Sequence, residues 1–139
     1  MRITLLDTGP LVALFNRRDH WHVVVRDYFS RHATSLLTTW AVLAEVNALM
    51  PKSAWFNALE WIEHGGLSIA EQPESTIVRI AALSRKYHDL PMDLADASLV
   101  VLAEQTAIDE IVTIDSDFDV YRFGPNRPFK NLLRPYMNR

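Results

Sequence analysis

Ile3-Thr4-Leu5-Leu6-Asp7-Thr8-Gly9-Pro10-Leu11-Val12-Ala13-Leu14-Phe15 changes character at Asp7, and that change decides the fold. The stretch before Asp7 is apolar or β-branched and suits a short buried strand. Asp7 or Thr8 can then cap a helix, and Pro10 fits its first turn, where the missing N–H leaves no bond unmade. An acid therefore closes a strand and opens a helix. The pattern returns near the other end of the chain, where Ile111-Val112-Thr113-Ile114 is closed by Asp115.

Between these runs, strands and helices alternate. Trp21, Val24, Val25, Tyr28 and Phe29 have helical spacing, which predicts a helix over His20 to His32. Ser35 to Thr39 reads as a buried strand, and Trp40 to Met50 as a helix stopped by Pro51. Ser53 can cap the next helix, which carries Trp55, Phe56, Leu59 and Ile62 and ends at Gly65-Gly66. Leu67 to Ala70 is a weak strand, Pro73 to Tyr87 a helix, and Pro91 opens a further helix to about Thr106. Asn131 to Tyr136 is read as a short last strand. This order predicts one α/β domain over residues 1–139, with a central parallel sheet flanked by helices on both faces. In such sheets ligands bind beyond the carboxyl ends of the strands.

Two further acids fall in unusual places. The residues three and four away from Glu45 are Ala41, Val42, Ala48 and Leu49. Those around Asp96 are Met92, Asp93, Leu99 and Val100. Residues at this spacing share a helical face, so both acids are expected within or beside an apolar stripe. Together with Asp7, Asp115 and the nearby Asp117, they would converge on one rim of the sheet. Clustered carboxylates repel one another and lose hydration, so they need a compensating charge. Hard divalent cations such as Mg2+ and Mn2+ prefer carboxylate oxygen and supply that charge.

Composition narrows the setting. An apolar fraction of 49% with four Trp, six Phe and four Tyr is enough for a core and unlike a disordered chain. Without cysteine, disulfides and thiolate metal sites are excluded, and a reducing cytoplasm is compatible. No apolar run reaches about 18 residues, and Met1-Arg2-Ile3 enters the first strand without a signal-peptide layout, so a cytoplasmic, non-membrane protein is expected. The net charge of −3 is unusual for a nucleic-acid binder. However, Arg122, Arg127, Lys130, Arg134 and Arg139 form an acid-free basic tail, either a solvated end or a collector of phosphates.

At these positions the chain resembles the PIN-domain ribonucleases, and within them the VapC-type toxins of toxin–antitoxin pairs. The resemblance rests on Leu6-Asp7-Thr8-Gly9-Pro10-Leu11-Val12-Ala13-Leu14, on Thr38-Thr39 to Glu45-Val46, on Asp93-Leu94-Ala95-Asp96-Ala97-Ser98-Leu99 and on Val112-Thr113-Ile114-Asp115-Ser116-Asp117-Phe118. It implies a Mg2+- or Mn2+-dependent endoribonuclease with Asp7, Glu45, Asp96 and Asp115 as metal-binding and catalytic acids. Asp117 would assist, Thr8 would lie near metal or scissile phosphate, and Asp93 would be a supporting acid or only a helix-end charge. It also implies RNA as substrate, a cognate antitoxin and a homodimer.

Two other classes share some of these features. A non-catalytic protein could use an acidic groove to hold a basic partner. A receiver-like phosphoacceptor also gathers acids at strand ends, but normally places a Lys beyond a late strand, and Ile111 to Tyr121 contains none. His20 and His22 beside Asp19 are read as surface groups, since i and i+2 diverge on a helix. His64 is read as a partner for a helix C-terminus. Trp55, Phe56 and Trp61 are read as core, with Trp61 partly exposed.

Overall fold

The computed structural model describes residues 2–138; Met1 and Arg139 lie outside them. Strands β1 (Ile3–Leu6), β2 (Ser35–Thr38), β3 (Ser68–Ile69), β4 (Glu110–Val112) and β7 (Lys130–Asn131) form one parallel sheet in the order β3-β2-β1-β4-β7. A short antiparallel ribbon of β5 (Arg122–Phe123) and β6 (Arg127–Pro128) lies outside it. The helices flanking the sheet are α1 (Thr8–Phe15), α2 (His22–Arg31), α3 (Trp40–Leu49), α4 (Lys52–Glu63), α5 (Ile77–Lys86), α6 (Leu94–Thr106) and α7 (Arg134–Met137).

The strand order reverses beside β1. From β1 the chain builds outward through β2 and β3, then returns to add β4 on the other side. Leu5 and Leu6 therefore pair with Ile111 and Val112, bringing the two acid-ended runs of the sequence side by side. That reversal opens a crevice at the carboxyl ends of the two strands. The core beneath it is apolar, with Leu5, Leu6, Leu11, Leu99, Leu102 and Ile111 fully enclosed. Each such side chain contributes about 1.5–3 kcal/mol on burial.

Helix α6 runs through the middle of the molecule, with every residue from Ala95 to Ala103 buried. Its face pattern is therefore not a stripe, and Asp96 is enclosed because the whole helix is. On α3 the buried residues are Val42, Leu43 and Val46. Ala48 and Leu49 are exposed, so Glu45 stands at the edge of the apolar stripe rather than within it.

Several element ends differ from expectation. Helix α4 starts at Lys52 with Pro51 at its cap position, so Ser53 is already inside the helix. Helix α6 starts at Leu94, because the Asp93 carboxylate accepts from the Asp96 N–H at 2.8 Å and makes a better start than Pro91. The expected last strand is a two-residue strand, Lys130–Asn131, followed by α7. Phe56 is 56% exposed rather than core, while Trp55 and Trp61 pack against the core from its edge. His64 does close a helix, its Nδ1 lying 2.7 Å from the Glu60 carbonyl.

The basic tail is tied back to the domain. Arg127 pairs with Asp109, Arg134 with Asp119, and the Arg122 guanidinium donates to the carbonyls of Asp119, Val120 and Tyr121. These cations already have partners, which weakens the case for the tail as a collector of phosphates. Among the described residues, no helix is long and apolar enough to cross a membrane.

Candidate metal centre

Asp7 is the first residue beyond β1, and its N–H still donates to the Val112 carbonyl at 3.1 Å. The ladder thus fixes its backbone. It occupies the cap position of α1, but its side chain makes no capping bond. Instead, Asp7 Oδ2 accepts from Thr113 Oγ1 at 2.6 Å. Asp115 leaves β4 three residues after Val112; its N–H donates to Thr113 Oγ1 at 3.0 Å, and its Oδ1 accepts from the Asp117 N–H at 2.9 Å. That second bond caps a 3-10 turn over Ser116–Asp119. Asp96 comes from the first turn of α6, with the Tyr121 hydroxyl 3.4 Å from its Oδ2.

These elements bring Asp7, Asp96 and Asp115 together, with one carboxylate oxygen from each within 4.8 Å of the others. Oxygens on a shared divalent cation lie about 2.0–2.6 Å from it, so separations of about 4–5 Å suit one ion. Asp7 and Asp96 are buried and Asp115 is half-buried. Glu45 lies outside this trio but lines the same cleft, of about 360 Å³, together with Thr8, Asp93 and Asp117. The cleft wall thus holds six carboxylates and, among the described residues, no Lys, Arg or His. A cleft of about 480 Å³ at Arg2, Tyr28, Arg31 and His32 is larger, but it has no acid in its wall. Chemistry rather than size marks the functional candidate.

The acids hold their protons unusually tightly. Burial, opposed by the Thr113 hydrogen bond, pushes Asp7 up to about 6. Burial and the charge of Asp7 push Asp96 up to about 8. Burial and the neighbouring Asp93 push Glu45 up to about 7. Asp115 is also raised, chiefly by burial. These shifts come first from burial and then from the repulsion of neighbouring carboxylates. In addition, the buried Thr8 hydroxyl lies beside the Glu45 carboxylate in the same cleft and opposes its upward shift. An all-oxygen donor set and an excess of negative charge together fit a hard divalent ion.

Asp93 acts first as the cap of α6, reciprocated by Asp96 in a capping box, and is otherwise exposed. His20 and His22 lie apart from the acids: His20 packs edge-on to Trp21, and His22 Nδ1 is 2.7 Å from the Ala13 carbonyl. Thr113, Asn131 and Tyr121 support the site and were not singled out from the sequence. Thr113 carried a readable signal, being a polar residue inside the apolar run Ile111 to Ile114. Asn131 and Tyr121 carried none, since their roles depend on contacts across the fold.

A parallel sheet with clustered carboxylates at its topological reversal defines an α/β protein with an acidic site at the carboxyl ends of its strands. The PIN domain model matches residues 4–124, and the chain belongs to that family. It is 28% identical over 115 residues to Ribonuclease VapC26 of Mycobacterium tuberculosis (strain ATCC 25618 / H37Rv), covering 80% of this chain and 85% of that protein. Its fold is similar to the crystal structure of Mycobacterium tuberculosis VapC20, described as a sarcin-ricin loop cleaving toxin. That match has a TM-score of 0.76 at 18% identity and covers 91% of this chain and 99% of the other. The family membership sets aside the receiver-like alternative.

Proposed function

We propose that the chain is a metal-dependent endoribonuclease acting as the toxin of a type II toxin–antitoxin pair. The observation that carries this reading is the approach of Asp7, Asp96 and Asp115 oxygens to within 4.8 Å at the sheet reversal. Its kinship with proteins named as a VapC ribonuclease and a VapC toxin supports the choice of RNA and of an antitoxin partner.

Asp7, Asp96 and Asp115 would hold a Mg2+ or Mn2+ ion. Bound there, the ion would lower the pKa of a coordinated water and offset charge on the attacked phosphate. Glu45, half-buried on the wall of the same cleft, would orient the attacking water and take its proton. It could equally hold a second ion. Asp117 steadies the Asp115 carboxylate through its N–H, and the Thr8 hydroxyl, on the wall of the same cleft, would face a scissile phosphate or bound water. Asp93 keeps the first turn of α6, and so Asp96, in place. No side-chain nucleophile is required. Trp40, Phe56, Val78 and Leu94 are large apolar side chains, each more than half exposed. They offer surface for an antitoxin or for a second copy in a homodimer. The absence of cysteine suits a cytoplasmic setting.

The test is cleavage of a mixed cellular RNA pool by the purified chain with Mn2+ or Mg2+, with EDTA, and with Asp96→Asn as control. Cutting that requires metal and disappears in the variant supports the reading. Cutting that persists in EDTA, or full activity of Asp96→Asn, sinks the assignment.

A further inference from the structure

Thr113 is fully buried, and its hydroxyl bonds two of the clustered acidic residues. It donates to Asp7 Oδ2 at 2.6 Å and accepts from the Asp115 N–H at 3.0 Å. The first bond anchors one oxygen of the Asp7 carboxylate. The second sets where the chain turns after β4, and so where Asp115 projects. A hydroxyl has one proton and two lone pairs, so it can serve both bonds together.

The Thr113 backbone is itself clamped. Ladder pairing between β4 and β7 reaches Ile111 and Asn131, and the Leu132 N–H donates to the Ile111 carbonyl at 2.9 Å. Beyond that point the Asn131 side chain replaces a strand. Its Nδ2 donates to the Thr113 carbonyl at 3.0 Å, and its Oδ1 accepts from the Thr113 N–H at 3.3 Å and from the Leu133 N–H at 3.1 Å. An amide carries both a donor and an acceptor, so it can mimic the peptide of a missing neighbour. Asn131 lies beyond residue 124, where the match to the family model stops.

We propose that Thr113, clamped by Asn131, is a positioning residue of the metal centre: it sets Asp7 and Asp115 at the separation one divalent ion requires. Asn131 thereby makes the last strand part of the site, although it lies outside the acidic cleft. The inference rests on the proposed metal-dependent reading. Outer partners of ligating groups commonly change metal affinity by about 10–100-fold when removed.

The experiment measures Mn2+ binding by calorimetry and thermal unfolding in EDTA, for the full chain and for Thr113→Val, Thr113→Ser and Asn131→Ala. Thr113→Val is expected to weaken Mn2+ binding by about 10–100-fold. Thr113→Ser, which keeps the hydroxyl, is expected to restore binding to within about threefold of the unsubstituted chain, on the same scale of effects. A merely structural role would change unfolding in EDTA without this separation of Val from Ser. Asn131→Ala leaves the cleft wall untouched and carries the test if Thr113→Val does not fold. Weaker Mn2+ binding by the folded Asn131→Ala chain supports the clamp, and unchanged binding overturns it. Equal affinity in the unsubstituted chain and in folded Thr113→Val overturns the positioning role alone. No Mn2+ binding by the unsubstituted chain overturns the metal reading and the positioning role with it.

Discussion

Replacing Asp7 by Asn should stabilise the metal-free protein at alkaline pH while removing its response to metal. Asp7 is buried, and its carboxyl is raised from 3.8 to about 6. A raised carboxyl pKa means that the folded state binds the proton more tightly than the unfolded state. The associated penalty is absent below the unfolded pKa, grows as pH rises, and is complete above about 6. Roughly two pKa units correspond to about 3 kcal/mol at pH 8, about half of that at pH 5, and little below pH 4. An Asn side chain avoids the penalty altogether. Its oxygen can still accept from Thr113 Oγ1, and its amide can face the Asp96 and Asp115 carboxylates. For a domain of this size about 3 kcal/mol is about 10 °C in Tm. Thermal unfolding followed by circular dichroism in EDTA at pH 8 and pH 5 should show Asp7→Asn the more stable protein, with the gap roughly halved at pH 5. Mn2+ at a hundred times its Kd should then raise the unsubstituted chain by about 2.7 kcal/mol and leave the variant unmoved. A variant less stable than the parent at pH 8 in EDTA would refute the reasoning, as would a gap independent of pH.

Three smaller perturbations test the scaffold. Asp93→Ala removes the cap of α6 and should cost about 1 kcal/mol in chemical denaturation, whereas Asp93→Asn, an equally good cap, should cost little. Ala107 ends α6 in the left-handed region at φ 60°, so Ala107→Gly should raise the denaturation midpoint by the equivalent of about 0.5–1 kcal/mol. A Cβ at Gly66 would lie 2.2 Å from the Trp61 ring, so Gly66→Ala should destabilise by about 1–3 kcal/mol and shift Trp61 fluorescence.

The features legible in the sequence were those encoded by neighbours along the chain. An apolar run ended by an acid and followed by helix-start residues places Asp7 and Asp115 at strand ends without knowledge of the sheet. Alternation of strands and helices then gives a parallel sheet, and a parallel sheet places its ligands at those ends. Asp96 was found for a reason that holds only in part: its helix is buried throughout, so an acid anywhere along its inner length would be enclosed. Glu45 shows the opposite limit, since Ala48 and Leu49 match a buried stripe in type yet face solvent. Side-chain type records what can be buried, whereas burial depends on what packs above it.

The links between distant segments were not legible. Asn131 supports Thr113 from 18 positions away, and Thr113 reaches Asp7 across 106. Neither spacing has a period, because the contact is created by strand order rather than by helix or strand geometry. The same strand order explains why the acids tolerate one another. In a solvated loop they would separate, but the β1–β4 ladder fixes the Asp7 backbone and the Asn131 clamp fixes that of Thr113, whose hydroxyl binds both Asp7 and Asp115. Burial, with repulsion added to it, therefore appears as raised proton affinity instead of movement. On the proposed reading, a site held in this way would be preorganised for a cation, since the fold already holds the carboxylates together.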